Sequence, residues 1–499
     1  MTDPRTRLGE AVTLQKQGNT ARARTICLSL LAEKSIHAET RFLLSLLEMQ
    51  DKNYDDALYY IDAAIASQPH NLAALNNRGA ILRALGRHAQ ALETYDRILA
   101  IKPDHAEALS NRGNVMFDLG RYDDAIAAFD AAFAANPGFA DALTNKANTL
   151  FRIRRFDDAW AANQQALKVD PGYSRAWFGL GTILAERGEN DAAIAHFDRA
   201  LASWPENPDA HFNKSLCLLR KGDFENGLPA YEYRWKKKNF TSQPPSFTQP
   251  RWTGAEDLTG KTILLYCEQG FGDTIQFLRY IPHIRAAKIV LEVQEPLLRL
   301  TQANFPDATV IPQGAPLPDF DYHCAFMSLP LAMGVNIDNA PYLAATPRAM
   351  PPASKPRIGI VWAGRPTHRN DINRSIPLPE FAAIFSDDFD FISLQKDRAD
   401  NLGLYPQVTD MGTDLHDFAD TAQIIMALDL VVAVDTSVVH LAGALGKPVW
   451  VLIPAVPDWR WLLHRADSPW YPSMRLYRQP AQGDWQTPLT AIKADLKTI

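Results

Sequence analysis

A spacing of 34 residues runs through the first half of this sequence. Alanines recur at this interval from Ala57 to Ala193, and prolines recur at it from Pro69 to Pro205. Four asparagines keep the same register, at Asn77, Asn111, Asn145 and Asn213. A period of this length is typical of stacked units that each contain a pair of helices. The rhythm ends near Trp235, so the chain joins a repetitive half to a half of a different kind.

One unit, residues 106–137, shows what a repeat contains. Small and apolar residues such as Gly113 recur at helical spacing and predict a first helix, and a stripe that includes Phe129 predicts a second helix facing it. Pro137 ends the pair because proline cannot continue a helix. Residues 1–240 are therefore predicted to form a tetratricopeptide repeat (TPR) superhelix of six to seven units, the outermost of them degenerate.

The asparagines occupy one position on the first helix of a repeat. First helices of such arrays line the concave surface, where a row of amides can donate to and accept from the backbone of an extended peptide. The row is similar to the asparagine ladder in the TPR superhelix of O-GlcNAc transferases. Asparagine is also common at this position in TPR proteins of other function, so the row is either a peptide clamp or part of the helix packing. Gly179 interrupts the row, and Asn114 and Asn148 widen the polar strip.

Composition excludes several classes of protein. A formal net charge of −6 provides no general electrostatic attraction to nucleic acid or to an anionic membrane. The four cysteines are scattered, which fits neither a disulfide framework nor a zinc site. No apolar run approaches the roughly 20 residues that span a bilayer, and the first residues lack the apolar segment of a signal peptide. We expect a cytoplasmic protein without a membrane span.

The second half follows a linker with extended bias, predicted over residues 241–257. Short apolar runs then alternate with helical stretches, which is the βαβ pattern of parallel sheets covered by helices. The predicted strands are residues 262–266, 289–293, 358–362, 391–394, 430–434 and 449–453. A proline-rich segment separates a front lobe, residues 258–350, from a back lobe, residues 351–499. We predict an α + α/β protein whose two Rossmann-like lobes bind ligands at the carboxyl ends of their strands.

The first strand-to-helix junction, residues 267–274, is rich in glycine. Gly272 allows the backbone to come close to a ligand, and Asp273 opens the predicted helix that follows. The carboxylate of Asp273 is either the N-cap of that helix or a general base at the cleft.

The second junction follows the strand that ends at Asp435. A helix is predicted to begin with Thr436 and Ser437, and His440 lies one turn inside it. Free backbone N–H groups at such a helix start attract an anion, and hydroxyl groups supplement them. The alternative is an N-capped helix with a histidine in the core.

Two further groups of polar residues follow strands of the back lobe. Residues 365–374 carry three arginines, the last of them Arg374, together with His368. Such a run is a solvated loop or a site for phosphate charge. Gln395 and Lys396 end the next predicted strand, at a position suited to contact with a base or ribose.

These residues resemble the heptosyltransferase-type glycosyltransferases, which have the GT-B fold. The similarity includes the Gly272-Asp273 junction and the junction from Asp435 to His440. It extends over nearly the whole chain and includes residues 418–422, 441–448, 458–461 and 470–472. The chain is similar to bacterial TPR-fused members of this family, some of which are associated with glycosylation of flagellin or other proteins.

The resemblance implies a role for each candidate residue on the donor side. Asp273 corresponds to the catalytic base, and Arg374 falls where the family places a lysine against the donor phosphates. Arginine and lysine differ in hydrogen-bond geometry. Thr436, Ser437 and His440 correspond to the diphosphate-binding helix start, where the family often has glycine in place of Ser437. Gly272, Asp435, Gln395 and Lys396 complete the predicted donor site.

The predicted activity is inverting, metal-independent transfer from a nucleotide-sugar donor to a hydroxyl of a protein held by the TPR array. The nucleotide sugar is a substrate, and we expect no cofactor. Asp319 and Asp321 match a DxD metal motif, but this spacing is common by chance, so we expect no metal. The front lobe is shorter than in stand-alone heptosyltransferases, which favours an acceptor site on the repeats. Two alternatives remain, a TPR adaptor with an inactive nucleotide-binding lobe and a transferase acting on glycan or lipid.

Overall fold

A computed structural model of the chain describes residues 3–33, 37–238, 240, 242, 246–268, 270–335, 341–368, 370–396 and 400–499. Part of the predicted linker and Arg369 of the arginine-rich stretch lie outside these residues. The chain divides into two compact units. The first comprises residues 1–183 and 195–205, and the second comprises residues 184–194 and 206–499. The last helix pair therefore belongs to the same unit as both sheets.

The repeats fold as helix pairs, which confirms the predicted TPR solenoid. In the described part of the chain, fourteen helices precede the first strand: α1 (Pro4–Lys16), α2 (Thr20–Ala32), α3 (His37–Gln50), α4 (Tyr54–Ser67), α5 (Leu72–Ala84), α6 (His88–Ile101), α7 (Ala106–Asp118), α8 (Tyr122–Ala135), α9 (Ala140–Arg152), α10 (Phe156–Val169), α11 (Ser174–Glu186), α12 (Asn190–Ser203), α13 (Pro208–Arg220) and α14 (Phe224–Tyr231). Small residues allow the two helices of a pair to approach closely. A β-carbon added at Gly113 would lie 2.8 Å from the ring of Phe129.

The turn inside each helix pair carries its own 34-residue spacing. One residue per turn has a positive φ, and these residues are Gly18, Lys52, Gly86, Gly120, Arg154, Gly188 and Gly222. Left-handed backbone is costly for a residue with a β-carbon and readily adopted by glycine. Five of the seven turns use glycine, whereas Lys52 and Arg154 adopt a φ of 63° with a full side chain.

We expect Lys52→Gly and Arg154→Gly each to raise the free energy of unfolding by roughly 0.5–1 kcal/mol. The left-handed conformation costs roughly 1–2 kcal/mol for an ordinary residue, and the greater freedom of glycine in the unfolded chain offsets part of that gain. Urea denaturation would measure the change. Gly120→Arg is the reciprocal control, because a β-carbon there meets no atom within 4 Å and only the backbone conformation is penalised. If it failed to destabilise the chain, left-handed strain would not explain the turn pattern.

Two parallel sheets form the second half, which confirms the α/β prediction. The strands are β1 (Thr262–Tyr266), β2 (Lys288–Val293), β3 (Thr309–Pro312), β4 (Tyr322–Ala325), β5 (Arg357–Val361), β6 (Asp390–Ser393), β7 (Val408–Asp410), β8 (Leu430–Val434), β9 (Val449–Ile453) and β10 (Met474–Arg478). The helices are α15 (Phe271–Phe277), α16 (Leu298–Asn304), α17 (Leu329–Met333), α18 (Asp371–Arg374), α19 (Leu378–Phe381), α20 (Phe418–Met426), α21 (Ser437–Ala444) and α22 (Gln486–Leu496).

Strand order places both candidate junctions at the middle of a sheet. The front sheet has the order β3-β2-β1-β4 and the back sheet has the order β10-β9-β8-β5-β6-β7. In the front sheet, the strands that follow β1 in the chain lie on both sides of it, with β2 on one side and β4 on the other. In the back sheet, the direction of the strand order changes between the adjacent strands β5 and β8. Ligands of open α/β sheets bind outside the carboxyl ends of the strands at such a reversal. Helix α15 follows β1 and helix α21 follows β8, so both begin at this edge.

Candidate functional site

Asp273 lies in the first turn of α15, at the carboxyl end of β1. The helix begins at Phe271 with Gly270 as its N-cap, so the alternative in which Asp273 is the N-cap is wrong. As the third helical residue, Asp273 accepts a backbone hydrogen bond from Gly270, which is one half of a capping box. The Asp273 side chain is 30% exposed to solvent. The carboxylate therefore has a local structural contact and still faces open space.

An arginine from the back lobe holds this carboxylate. Nη2 of Arg460 lies 2.6 Å from Oδ1 of Asp273, and Nη1 of Arg460 donates to Oδ1 of Asp458 at 2.7 Å. Asp458 also caps the short turn Trp459–Trp461, which carries Arg460. The arginine bridges two carboxylates and is only 7% exposed. The sequence patterns did not assign a role to Arg460 or Asp458, although residues 458–461 stood out in the family resemblance.

Burial and neighbouring charge tune the acids of this cleft. Burial raises the pKa of Asp273 above its ordinary value, while Arg460 opposes this rise and Asp458 adds to it. Burial and the nearby Asp458 carboxylate raise the pKa of Asp435 to about 6. A carboxylate with a raised pKa is a better proton acceptor when it is ionised. The pKa values of Asp273 and Asp435 are thus both raised towards the pH at which a general base acts.

The start of α21 contains a buried hydroxyl group that makes no hydrogen bond within the described part of the chain. Thr436 is the N-cap, but its side chain makes no capping hydrogen bond. Its Oγ1 atom is buried and has no partner among the described residues. Helix α21 itself begins at Ser437, whose Cα lies 3.5 Å from the position that a β-carbon on Gly272 would occupy. The absence of a β-carbon at Gly272 thus brings this helix start next to the turn that carries Asp273.

Arg374 adds positive charge beside this helix start. It ends α18 and donates from Nη1 to the backbone oxygen of Asp435 at 2.9 Å. Its Nε atom is buried, makes no hydrogen bond among the described residues and lies 3.6 Å from Oδ1 of Asp371. Burial and the Arg374 guanidinium lower the pKa of His368 in the preceding loop, so His368 is biased to its neutral form. Arg374, Thr436 and the free N–H groups of α21 together form a surface suited to a phosphate.

His440 is packed inside the back lobe. Its ring stacks on Trp461 with centroids 5.2 Å apart, and Nδ1 lies 3.1 Å from the hydroxyl of Tyr471. Burial lowers the pKa of His440 to about 3. The ring is therefore neutral at physiological pH and contributes no positive charge to an anion at the start of α21.

The depressed pKa of His440 makes the fold sensitive to acid. An unfolded histidine has a pKa of about 6.5, so between about pH 6.5 and pH 3 the unfolded chain binds the proton and the folded chain does not. Stability therefore falls as the pH falls through this window, by up to about 1.4 kcal/mol per pH unit from this group. We expect His440→Phe to reduce the pH slope in urea unfolding between pH 4.5 and 6.5. The exposed His416→Phe serves as the control, and an equal reduction there would contradict this account.

Gln395 and Lys396 lie just beyond the carboxyl end of β6. Oε1 of Gln395 accepts a hydrogen bond from the backbone of Ala363 at 3.0 Å, which ties it to the end of β5. Nζ of Lys396 donates to the backbone oxygen of His416 at 3.4 Å. Both residues are thus at the edge of the back sheet where the carboxyl ends of β5 and β6 lie.

Two of the four predicted peptide-binding asparagines line one groove in the first compact unit. The groove has a volume of about 430 Å³. Polar and aromatic residues from four repeats line it, including Asn111, Asn114, Asn145, Asn148, Phe117, Phe139, Arg83 and Arg175. Asn111 donates to Asn76 at 3.0 Å, and Asn145 accepts from Arg175 at 3.0 Å. These amides therefore both face the groove and join adjacent repeats. Asn77 is half-buried on α5, and Asn213 belongs to the second unit.

Asp321, the second aspartate of the DxD sequence, makes contacts within the front lobe. Asp321 accepts from the backbone of Thr262 at 2.8 Å and pairs with Lys261, and these contacts lower its pKa. Within the described ranges, no cluster of three or more histidine, cysteine, aspartate or glutamate side chains is arranged to hold a metal ion.

Across the same residues, none of the helices has the length and apolar character needed to cross a bilayer.

Comparison with known proteins identifies the repeats. The family model described as tetratricopeptide repeat matches residues 8–71, 110–166, 144–208 and 178–244, and a second model of that description matches residues 70–137. Protein FlbA of Caulobacter vibrioides is 26% identical over 370 residues, which cover 62% of this chain and 59% of FlbA. The chain thus spans less than two thirds of that relative.

Solved structures of other proteins resemble part of this chain at low overall similarity. A tetratricopeptide repeat protein from Parabacteroides merdae is 17% identical with a TM-score of 0.40, covering 46% of this chain and 91% of its own. The pilF protein of Pseudomonas aeruginosa is 16% identical with a TM-score of 0.35, covering 42% of this chain and 94% of its own. The chain contains TPR repeats, which are protein-interaction modules.

Proposed function

We propose that the protein is a glycosyltransferase that moves a sugar from a nucleotide-sugar donor to a hydroxyl group of a protein recruited by the TPR array. One observation carries the proposal. A carboxylate with a raised pKa, Asp273, lies beside a helix start where the buried hydroxyl of Thr436 has no partner among the described residues and Arg374 adds positive charge. A proton acceptor next to an anion site is what transfer from a sugar phosphate to a hydroxyl requires.

The proposed reaction is a single inverting displacement. Asp273 takes the proton of the acceptor hydroxyl as its oxygen attacks the anomeric carbon of the donor. The bond from that carbon to the phosphate oxygen breaks, and the nucleoside diphosphate leaves with both bonding electrons. Arg374 and the N–H groups at the start of α21 stabilise the charge that develops on the phosphate. These groups perform the role without a metal ion.

Binding of a nucleotide sugar tests the donor half of this proposal. We expect one member of a panel of uridine, guanosine, cytidine and thymidine diphosphate or monophosphate sugars to bind the full chain in calorimetry. Arg374→Met should weaken that binding by roughly tenfold or more, because a charged hydrogen bond to phosphate is lost. Arg365→Met, in the loop before α18 and exposed, is the control and should bind as the native protein does. Binding that is unaffected by Arg374→Met would remove this arginine from the donor site.

An adaptor is the second candidate function, and the Asp273–Arg460 ion pair favours it. A carboxylate already paired at 2.6 Å resembles a structural contact as well as a base awaiting substrate. In that case the second half would be catalytically inactive, and the protein would act through the binding of partner proteins to its repeats. Failure of every nucleotide sugar in the panel to bind would support the adaptor over the enzyme.

The acceptor half of the proposal rests on the groove in the first unit. An extended polypeptide fits a strip of amides that can donate to its carbonyl groups and accept from its N–H groups. We expect the double variant Asn111→Ala/Asn145→Ala to raise KM for a protein acceptor such as flagellin by roughly tenfold and to leave donor binding unchanged. Gln164→Ala, an exposed amide on a second helix, is the control. An unchanged KM would favour an acceptor of another class, glycan or lipid.

A further inference from the structure

The loop that carries Asp458 and Arg460 packs against the turns of the last two repeats. Cγ2 of Val456 lies 3.5 Å from the position of a β-carbon on Gly188, and Cδ2 of Leu462 lies 3.9 Å from the corresponding position on Gly222. Both glycines are left-handed turn residues of the 34-residue series. All of these residues belong to the second compact unit. The turns at Gly188 and Gly222 therefore pack against residues 455–465, which we call the arginine loop.

Arg220, the last residue of α13, ties the repeats to the arginine loop. Its Nε donates to the backbone oxygen of Pro457 at 3.0 Å. Its Nη1 lies 3.4 Å from Oδ1 of Asn190, the first residue of α12 in the preceding repeat. Phe224 and Tyr231 of the last repeat each contact the ring of Trp459, with centroids 6.4 Å apart. One arginine and two aromatic rings thus hold the residues on either side of Asp458.

The backbone of the arginine loop is strained directly after Arg460. Leu462 ends the short turn Trp459–Trp461 with φ 50° and ψ −169°, a conformation that is essentially confined to glycine. His464 also has a positive φ, of 52°. Such conformations persist only when surrounding contacts enforce them, and they concentrate at functional sites. The contacts from the two repeat turns and from Arg220 are contacts of this kind.

We infer that the last two repeats are part of the catalytic apparatus, with Arg220 and Arg460 as positioning residues. Arg220 holds the arginine loop, the loop holds Arg460, and Arg460 orients the Asp273 carboxylate. The catalytic role of these contacts rests on the proposed function. The contacts from Arg220 to the loop and from Arg460 to Asp273 do not depend on it. The repeat residues that belong to the second compact unit thus complete the proposed site.

Removal of the Arg220 contact has a defined consequence. Leu462 no longer needs to keep its strained conformation, so the loop relaxes and Arg460 leaves Asp273. The carboxylate then loses its orientation towards the acceptor hydroxyl. Trp461 of the loop stacks on His440 of α21, but the groups proposed to hold the phosphates, Arg374 and Thr436, lie outside the loop, so we expect donor binding to be largely retained. We therefore expect kcat to fall while the KM for the donor stays near its native value.

Hydrogen–deuterium exchange tests the mechanical link without any assay of activity. In the full chain, Arg220→Met should speed exchange in residues 455–465 several-fold. Arg152→Met is the matched control, because Arg152 is exposed and lies two 34-residue intervals earlier at the same position of a first helix. Leu462→Gly relieves the strain and keeps the anchor, so it should not speed exchange in the loop. Unchanged exchange of residues 455–465 in Arg220→Met would overturn the inference.

The pH profile of turnover tests Arg460 as a positioning residue. Arg460 lowers the pKa of Asp273, so its removal raises that pKa and the base becomes protonated at a higher pH. We expect Arg460→Met to move the acid limb of the profile upward and Arg460→Lys to restore part of the shift. An acid limb that stays in place in Arg460→Met would refute this role. If the native chain turns over no nucleotide sugar, the proposed function fails, and the exchange experiment still decides the link between repeats and loop.

Discussion

Asp273→Asn is expected to lower the rate of sugar transfer by about 10²–10⁴-fold, the contribution typical of a general base. Asparagine preserves the size of the side chain and can still accept from Arg460 through its amide oxygen. It cannot take the proton of the acceptor hydroxyl, so the attacking oxygen remains weakly nucleophilic. Steady-state rates of nucleoside diphosphate release, with saturating donor and acceptor, would measure the loss.

Two controls separate chemistry from folding in this experiment. Asp321→Asn changes a carboxylate of the same lobe that contacts Thr262 and Lys261, so its turnover should stay near the native rate. Donor binding to Asp273→Asn should also be retained, because the groups proposed to hold the phosphates are Arg374 and the start of α21. Native turnover in Asp273→Asn would remove this residue from the mechanism.

The repeats could be predicted closely because their constraint is local and periodic. Each helix pair buries the same small residues at the same interval, so the sequence itself displays the register. The left-handed turns follow that register as well, and glycine marks five of them. Lys52 and Arg154 were not predicted as turn residues of this kind, since a long polar side chain carries no signal for positive φ.

The strands that were predicted lie in the middle of the two sheets, and those that were missed lie mainly at the edges. Strands β1, β8 and β9 have their predicted bounds because they are almost continuous apolar runs. Strands β3, β7 and β10 are edge strands of their sheets, and β4 is the edge strand beside β1. An edge strand buries only part of its residues, so its sequence resembles that of a loop.

The acid–base part of the site was only half visible in the sequence. Asp273 follows a predicted strand and a glycine-rich turn, which are local signals. Its partner Arg460 lies 187 residues further along the chain, in a short turn between β9 and β10. No spacing rule connects two such positions, because their contact arises from the packing of one lobe on the other. The same reason explains why Asp458 and Arg220 were not predicted.

Arg234 is the residue whose loss should destabilise the second unit most. Its side chain is completely buried, and it donates to both oxygens of Glu268 at 2.8 and 2.7 Å and to Ser328 at 2.8 Å. Removing one member of a buried ion pair leaves the other charge uncompensated, which typically costs about 3–5 kcal/mol. We expect Arg234→Met to lower the free energy of unfolding of the second unit by about this amount in urea titrations.

A neighbouring arginine supplies the control for Arg234. Arg251 pairs with Glu232 at 2.6 Å in the same cluster, but 36% of its side chain is exposed. Water can replace much of that interaction, so Arg251→Met should cost no more than about 1 kcal/mol. Equal losses in the two variants would show that burial does not set the strength of this cluster. Because Glu268 follows β1 and lies five residues before Asp273, the Arg234 variant should also lose transfer activity at temperatures below its unfolding transition, whereas Arg251→Met should not.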